Sequence, residues 1–238
     1  MAEPRPIPWE TIAVEAVAIV LSILLAFAID AWWTEKQESE VEHAALRALH
    51  SDFVASREQL EVVHRSLEDG RSNFARFQSA TTDELIEIDP DAIRWILSGL
   101  VKNHTFDPLT ATLDALANDG RLGLISDPQL LGHLSKWRRE LDNIEDISFE
   151  LRAESVLVRR AMQKHGGPFF RWRRSLDGLN VLPRASGQTL ANLRQDKDFM
   201  GTARSHQYAL SIYLVELQKL AETLDSTVEL LHQITAQR

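Results

Sequence analysis

A chain of 238 residues with a net charge of -9 and no cysteine excludes several classes at once. Thiolate catalysis, disulfide frameworks and cysteine-ligated zinc or iron–sulfur centres have no ligands here, and the acidic balance argues against nucleic acid as a partner. Apart from one apolar stretch near the start, about 205 residues remain, enough for a single domain with its own core.

A short tail, residues 1–10, leads into that stretch. Ala16 to Ile29 carries no charge. Extended to Thr11 and Trp33, it makes about 35 Å of helix, sufficient to cross roughly 30 Å of hydrocarbon. The extension takes in Glu15 and Asp30. With Ser22 at the midplane both acids fall near the hydrocarbon edge, where a charge is cheaper than at the centre, while Trp9, Trp32 and Trp33 fall in the headgroup belts that favour indole. Residues 11–33 are therefore expected to form a transmembrane helix, with the lipid bilayer as a partner. Ala26-Phe27-Ala28 has the form of a signal-peptide cleavage site, but Glu3 and Glu10 deprive the preceding tail of the net positive charge such a peptide carries. Ala18, Ser22, Ala26 and Asp30 recur every four residues, and Glu15 lies near the same side, so small residues let a second backbone approach. This face, Glu15, Ala18, Ser22, Ala26 and Asp30, predicts a homo-oligomer, with another membrane protein as the alternative contact. A pore lined by Glu15, Ser22 and Asp30 is the alternative function.

Residues 34–238 read as a helical domain. No Gly or Pro occurs between Trp33 and Gly70, so the first helix is expected to continue outward unbroken. Leu46, Leu49, Phe53, Leu60, Val63 and Leu67 form a buried stripe at three–four spacing, with Ser56 filling the missing step; Phe74 and Phe77 extend it. Three Asp-Pro pairs, at 89–90, 107–108 and 127–128, each read as a capped helix start. They predict short helices near 90–102 and 108–118, the second closed by a left-handed Gly120, and a long helix over 127–163 with Leu130, Leu134, Trp137, Leu141, Ile144, Leu151 and Val158 inward. Gly166-Gly167-Pro168 breaks it. The last helix is expected over 188–236, with Leu210, Tyr213, Leu217, Leu220, Leu224, Leu231 and Ile234 inward. No stretch alternates with period two, so no strand is expected. The fold class is all-α: a transmembrane helix continuous with an elongated bundle of three long helices plus short ones.

Glu-x-x-His occurs at Glu40/His43, Glu61/His64 and Glu229/His232. Paired on facing helices, this spacing builds di-metal sites in bundles. Here the buried stripes run through Leu60, Val63 and Leu67 and through Leu224, Val228 and Leu231, so these side chains point away from the core, and a metal-dependent enzyme is only the third reading. His43, His50 and His64 share a heptad position about 10.5 Å apart per step, too far for one ion, and read as a flanking, solvated or partner-facing edge. Phe169, Phe170, Arg171, Trp172, Arg173 and Arg174 combine aromatics and arginines in the manner of a membrane-surface or partner contact. If the helix over 127–163 runs back toward the bilayer, this segment reaches the headgroups. No nucleophile elbow, phosphate loop, dinucleotide fingerprint or zinc-protease motif is present, and no enzyme activity, metal or cofactor is expected.

The chain resembles a broad family of uncharacterised bacterial single-pass membrane proteins. The resemblance is carried by Glu15 leading the apolar run, by Ile29-Asp30-Ala31-Trp32 closing it, and by residues 46–53. Its most distinctive part is Phe106-Asp107-Pro108-Leu109-Thr110, Leu113-Asp114-Ala115-Leu116 and residues 120–128, ending in Leu134. It implies an inner-membrane anchor with a cytoplasmic N-terminus and an exported, periplasmic helical domain; it implies no activity. Arg5 before the span against Lys36 and Arg47 after it does not fix the orientation by charge. The expected function is that of a membrane-anchored scaffold or accessory protein acting through contacts.

Overall fold

The computed structural model describes residues 9–165, 170–175, 178–183 and 185–237, with side chains described over 19–165 and 185–236. Helix α1, Trp9–Ser79, is continuous over 71 residues. It is followed by α2 (Thr82–Ile86), α3 (Pro90–Leu100), α4 (Ala111–Asn118), a 3-10 turn (Arg121–Leu124) and α5 (Pro128–Gln163). A hairpin, β1 (Phe170–Ser175) and β2 (Gly178–Pro183), then leads to α6 (Gly187–Gln195) and α7 (Lys197–Gln237).

Gly70 does not interrupt α1, because it lies where α3 crosses. A Cβ on Gly99 would come within 2.8 Å of both the Asn73 Cβ and the Gly70 carbonyl oxygen, and one on Gly70 within 2.9 Å of the Lys102 Cβ. The two glycines let the helices meet backbone to backbone. The expected stripes are buried as a set: Leu46, Leu49, Phe53, Ser56, Leu60, Val63 and Leu67 on α1, and Leu210 through Ile234 on α7. On α5 only Leu141 is half-exposed. Trp137 is the central block, its ring 5.1 Å from Phe53 and edge-on to Phe106 at 6.3 Å.

The core has two parts. Beside the emerging α1, Leu46 and Leu49 pack with Leu130 and Leu134 of α5 and Leu231 and Ile234 of α7. At the far end Phe74 and Phe77 pack with Val158 and Met162 of α5 and Phe199 and Ala203 of α7. Helix α5 therefore runs parallel to α1, not back along it, and α7 runs antiparallel to both. The return path belongs to residues 101–127 instead. Lys102 lies against Gly70, His104 lies 3.4 Å from the Ser66 hydroxyl, the Leu109 amide donates to Ser56 Oγ (3.0 Å) and the Thr112 amide donates to Asp52 (3.2 Å). The Ser126 amide and hydroxyl both donate to Glu42 Oε1, at 2.8 and 2.7 Å. This strap descends α1 from residue 70 to residue 42, about 42 Å of helix.

The strap also explains the one Asp-Pro pair that starts no helix. Asp89 and Asp127 each accept amide hydrogen bonds and cap α3 and α5, whereas Asp107-Pro108 sits in the extended run and α4 begins at Ala111 after an uncapped Thr110. The amides there are already taken by α1 side chains. Gly120 does close α4 in the left-handed region, at φ 68°. Two further expectations are corrected. The last helix is broken, since Asp196 leaves the helical conformation to cap α7, accepting from the amides of Asp198 and Phe199 at 2.9 and 3.1 Å. Strands also occur: β1 and β2 pair antiparallel from Phe170↔Pro183 to Ser175↔Gly178.

Candidate contact surfaces

The first candidate surface is the free part of α1. Residues 19–41 are all exposed, and Glu42 is the first buried residue among the described side chains of the helix. Within it Leu25 is 63% and Phe27 67% exposed, on different sides of the helix, and Ile19, Leu21, Leu24 and Ile29 are alike. An apolar surface on every side of a helix has no counterpart in a water-exposed amphipathic element. Ser22, Ala26 and Asp30 are exposed on the same segment; Glu15 and Ala18 are described only as helical backbone. Among the described residues no helix is long and apolar enough to cross a membrane, and the described side chains of the apolar run begin at Ile19. Where the run ends, the Lys36 ammonium lies 5.7 Å from the Trp32 ring.

A clamp fixes the base of the bundle to this segment. Glu42, 7% exposed, holds Ser126 as described above, and Ile125, 3% exposed, enters the core beside it. The turn Arg121–Leu124 is thereby pressed against α1 just beyond the stalk. A wedge of about 760 Å³ separates turn and stalk. Glu42 is a buried carboxylate, and its position four residues before Leu46, in line with the buried stripe, was the available signal.

The far end holds a buried polar node. His206 is fully buried on α7, and Gln207 beside it is nearly so. The Gln207 amide nitrogen lies 3.5 Å from the Gly99 carbonyl and 3.4 Å from His206 Nδ1. Among the described residues neither His206 Nε2 nor Gln207 Oε1 has a hydrogen-bond partner. Burial pushes the imidazole down to about 4; the Lys102 backbone opposes this and the Arg159 charge adds to it. Nearby, Ser155 accepts from Asn103 of the strap and from Arg159, and Tyr213 Oη accepts from the Phe106 amide at 2.8 Å. Both His206 and Gln207 continue the α7 stripe, but sequence gave no sign that two polar residues on it were matched to the end of α3.

A groove of about 520 Å³ lies between the strap and α5, with Asp107, Asp114, Asp142 and Glu145 on its walls and Arg138 and Arg152 among them. Arg138 approaches Asp114 at 3.8 Å, and Arg152 is held by Ser148, so both cations are committed to the fold.

The motifs singled out in sequence are dispersed. Glu61, Glu229 and His232 are exposed, and His43 and His64 half-buried, on the faces the stripes predict. The rings of His50 and His232 come within 6.1 Å, a pairing across α1 and α7 that no spacing within one helix reveals. Among the described residues no group of three or more His, Asp or Glu is arranged to hold a metal ion. The arginine–aromatic segment is not brought to the base. Phe169 lies outside the described residues, and Phe170, Arg171, Trp172, Arg173 and Arg174 are described only as the backbone of β1. Because α5 runs parallel to α1, the hairpin follows the far end of the bundle, where β2 lies beside α3. A headgroup contact through this segment required α5 to run the other way.

No family model matches the chain, and no curated protein or solved structure matches it.

Proposed function

We propose that the chain is a membrane-anchored helical interaction protein, held in a bilayer by residues 11–33 and presenting an elongated bundle on one side. The observation that carries this reading is the unbroken α1, in which an apolar segment exposed on all sides leads through an exposed stalk into a packed core. Exposure of that much contiguous apolar surface is costly in water, at roughly 25 cal/mol per Å², and lipid removes the cost. From Thr34 to Ser79 the helix spans about 70 Å, so the bundle places its far end, with the exposed Trp95, well away from the bilayer. A cytoplasmic N-terminus with a periplasmic bundle, the orientation implied by the family resemblance, accompanies this proposal. The small-residue face of α1 supplies the self-association surface.

Alkaline carbonate extraction of membranes tests the anchor. The full chain is expected to stay with the lipid, and the double substitution Leu21→Arg with Leu24→Arg to release it; release of the unmodified chain would refute the anchor. Light scattering in mild detergent, corrected for bound detergent, tests self-association. A defined oligomer that Ser22→Leu dissociates is the expected result, and a monomer removes that part of the proposal.

A further inference from the structure

The helix that enters the bilayer also sets the height of everything clamped to it. With Ser22 at the midplane, a half-thickness of about 15 Å brings the hydrocarbon edge to residue 32, and a headgroup layer of roughly 5–7 Å ends near residue 36. The wedge between stalk and turn begins at Gln37, one residue further on, and extends to Ala44. Below it α1 is exposed throughout, so nothing in the chain's described part stands between this wedge and the bilayer. Its lining has Val41, Gly123 and Leu124 as the apolar part, Glu38 and Glu40 on the stalk side and Arg121 on the turn. Arg121 is exposed and among the described residues has no ion-pair partner. The turn cannot swing away freely, because Glu42 holds Ser126 at two points and Ile125 is buried.

We propose that the turn Arg121–Leu124 rests on the surface of the bilayer that α1 enters, with the Arg121 guanidinium on lipid phosphate. The proposal rests on the anchoring reading above. Height is its first support: Arg121 lines a wedge whose lower edge is Gln37, next to phosphates that end near residue 36, and its side chain is long enough to snorkel down by about one helical turn. Chemistry is its second. Guanidinium binds phosphate in a two-pronged geometry, and juxtamembrane cations are attracted to the lipid surface; Lys36, at the Trp32 ring, sits at the same level. The stalk glutamates set the sense of the arrangement. They keep the stalk itself in water, so that contact is made through the turn on one side of α1 and not around its whole circumference. The consequence is a bundle held at a fixed tilt instead of pivoting on a free stalk.

The absence of cysteine allows single spin labels without background. A Cβ at Gly123 or at Gly201 meets nothing within 4 Å, so Gly123→Cys and Gly201→Cys leave the fold intact, the second reporting from the far end of the bundle. The full chain carrying one label is placed in phospholipid nanodiscs doped with a gadolinium-chelating lipid. The label at Gly123 is expected to relax several-fold faster than in undoped discs, and the label at Gly201 not to change. Equal, negligible effects at both positions would overturn the proposal. A third label, Leu24→Cys, separates this failure from loss of the anchor. Access to oxygen but not to a water-soluble relaxant leaves the anchor standing, whereas access to both overturns the anchor and the docked turn together. Arg121→Glu is expected to abolish most of the effect at Gly123; an unchanged effect would remove Arg121 from the contact.

Discussion

Lowering the pH acts on this bundle through His206. The imidazole is fully buried, and burial brings its folded pKa to about 4 against an ordinary 6.5. Between these values the unfolded chain binds a proton that the folded chain refuses. Stability from this residue is therefore fully present above pH 6.5, falls as pH drops through 6.5, and is exhausted below about 4. The full difference is about 3 kcal/mol at 1.36 kcal/mol per unit, and the part lost between pH 7 and pH 5 is about 2 kcal/mol. Two structural facts make protonation expensive: the ring is removed from water, and the Arg159 charge stands nearby. Carboxylates also respond to acid, so the decisive quantity is a difference between variants. Urea unfolding of the detergent-solubilised chain, followed by tryptophan fluorescence at pH 7 and pH 5, is compared with that of His206→Leu. The unmodified chain is expected to lose about 2 kcal/mol more than the variant over that interval. Equal losses would refute the buried neutral histidine, and a histidine that stabilised the fold at pH 5 would reverse the sign of the reasoning.

Three more consequences follow from the strap and the helix crossing. Tyr213→Phe strips the buried Phe106 amide of its acceptor and is expected to cost about 1–3 kcal/mol in the same unfolding assay; a loss below a few tenths would show that the strap relaxes to water there. Gly99→Ala drives a methyl against the Gly70 carbonyl and the Asn73 side chain, and an overpacking cost of about 1–3 kcal/mol is expected. Gly132→Ala, inside α5 where a Cβ meets nothing, is the control and is expected to stabilise by about 0.5–1 kcal/mol through helix propensity; equal effects at the two sites would deny the close crossing. Glu42→Ala removes both anchors of Ser126 and is expected to speed tryptic cleavage after Arg121 several-fold, with unchanged cleavage counting against the clamp.

Much of the candidate surface was legible in the sequence and some was not. The apolar run and its small-residue positions are a local composition signal, and its described part, from Ile19 on, is exposed. The Glu-x-x-His faces followed from the adjoining stripes. The clamp at Glu42, the node at His206 and the His50–His232 approach depend on which helix lies beside which, and a spacing rule within one helix carries no such information. The arginine–aromatic segment shows the cost of guessing it: its composition suited a headgroup contact, but the direction of α5 puts the hairpin after the far end of the bundle.

What the sequence by itself determined is whatever a helix decides within its own few turns. The 3.6-residue period set which faces of α1, α5 and α7 are inward, Asp89 and Asp127 capped the helices they precede, and Gly120 closed α4. Only the tertiary structure decided the path between these helices. The strap's acceptors, Ser56, Asp52, Glu42 and Tyr213, lie 53 to 107 residues from the amides they serve, so Asp107-Pro108 keeps the sequence of a helix start while its neighbours' hydrogen bonds are spent elsewhere. The same competition ends α6 at Asp196, whose carboxylate gains two amides and His165 (2.7 Å) by leaving the helix. Periodicity is local and cheap to read; a hydrogen bond made across the fold outbids it wherever the packing brings a partner within reach.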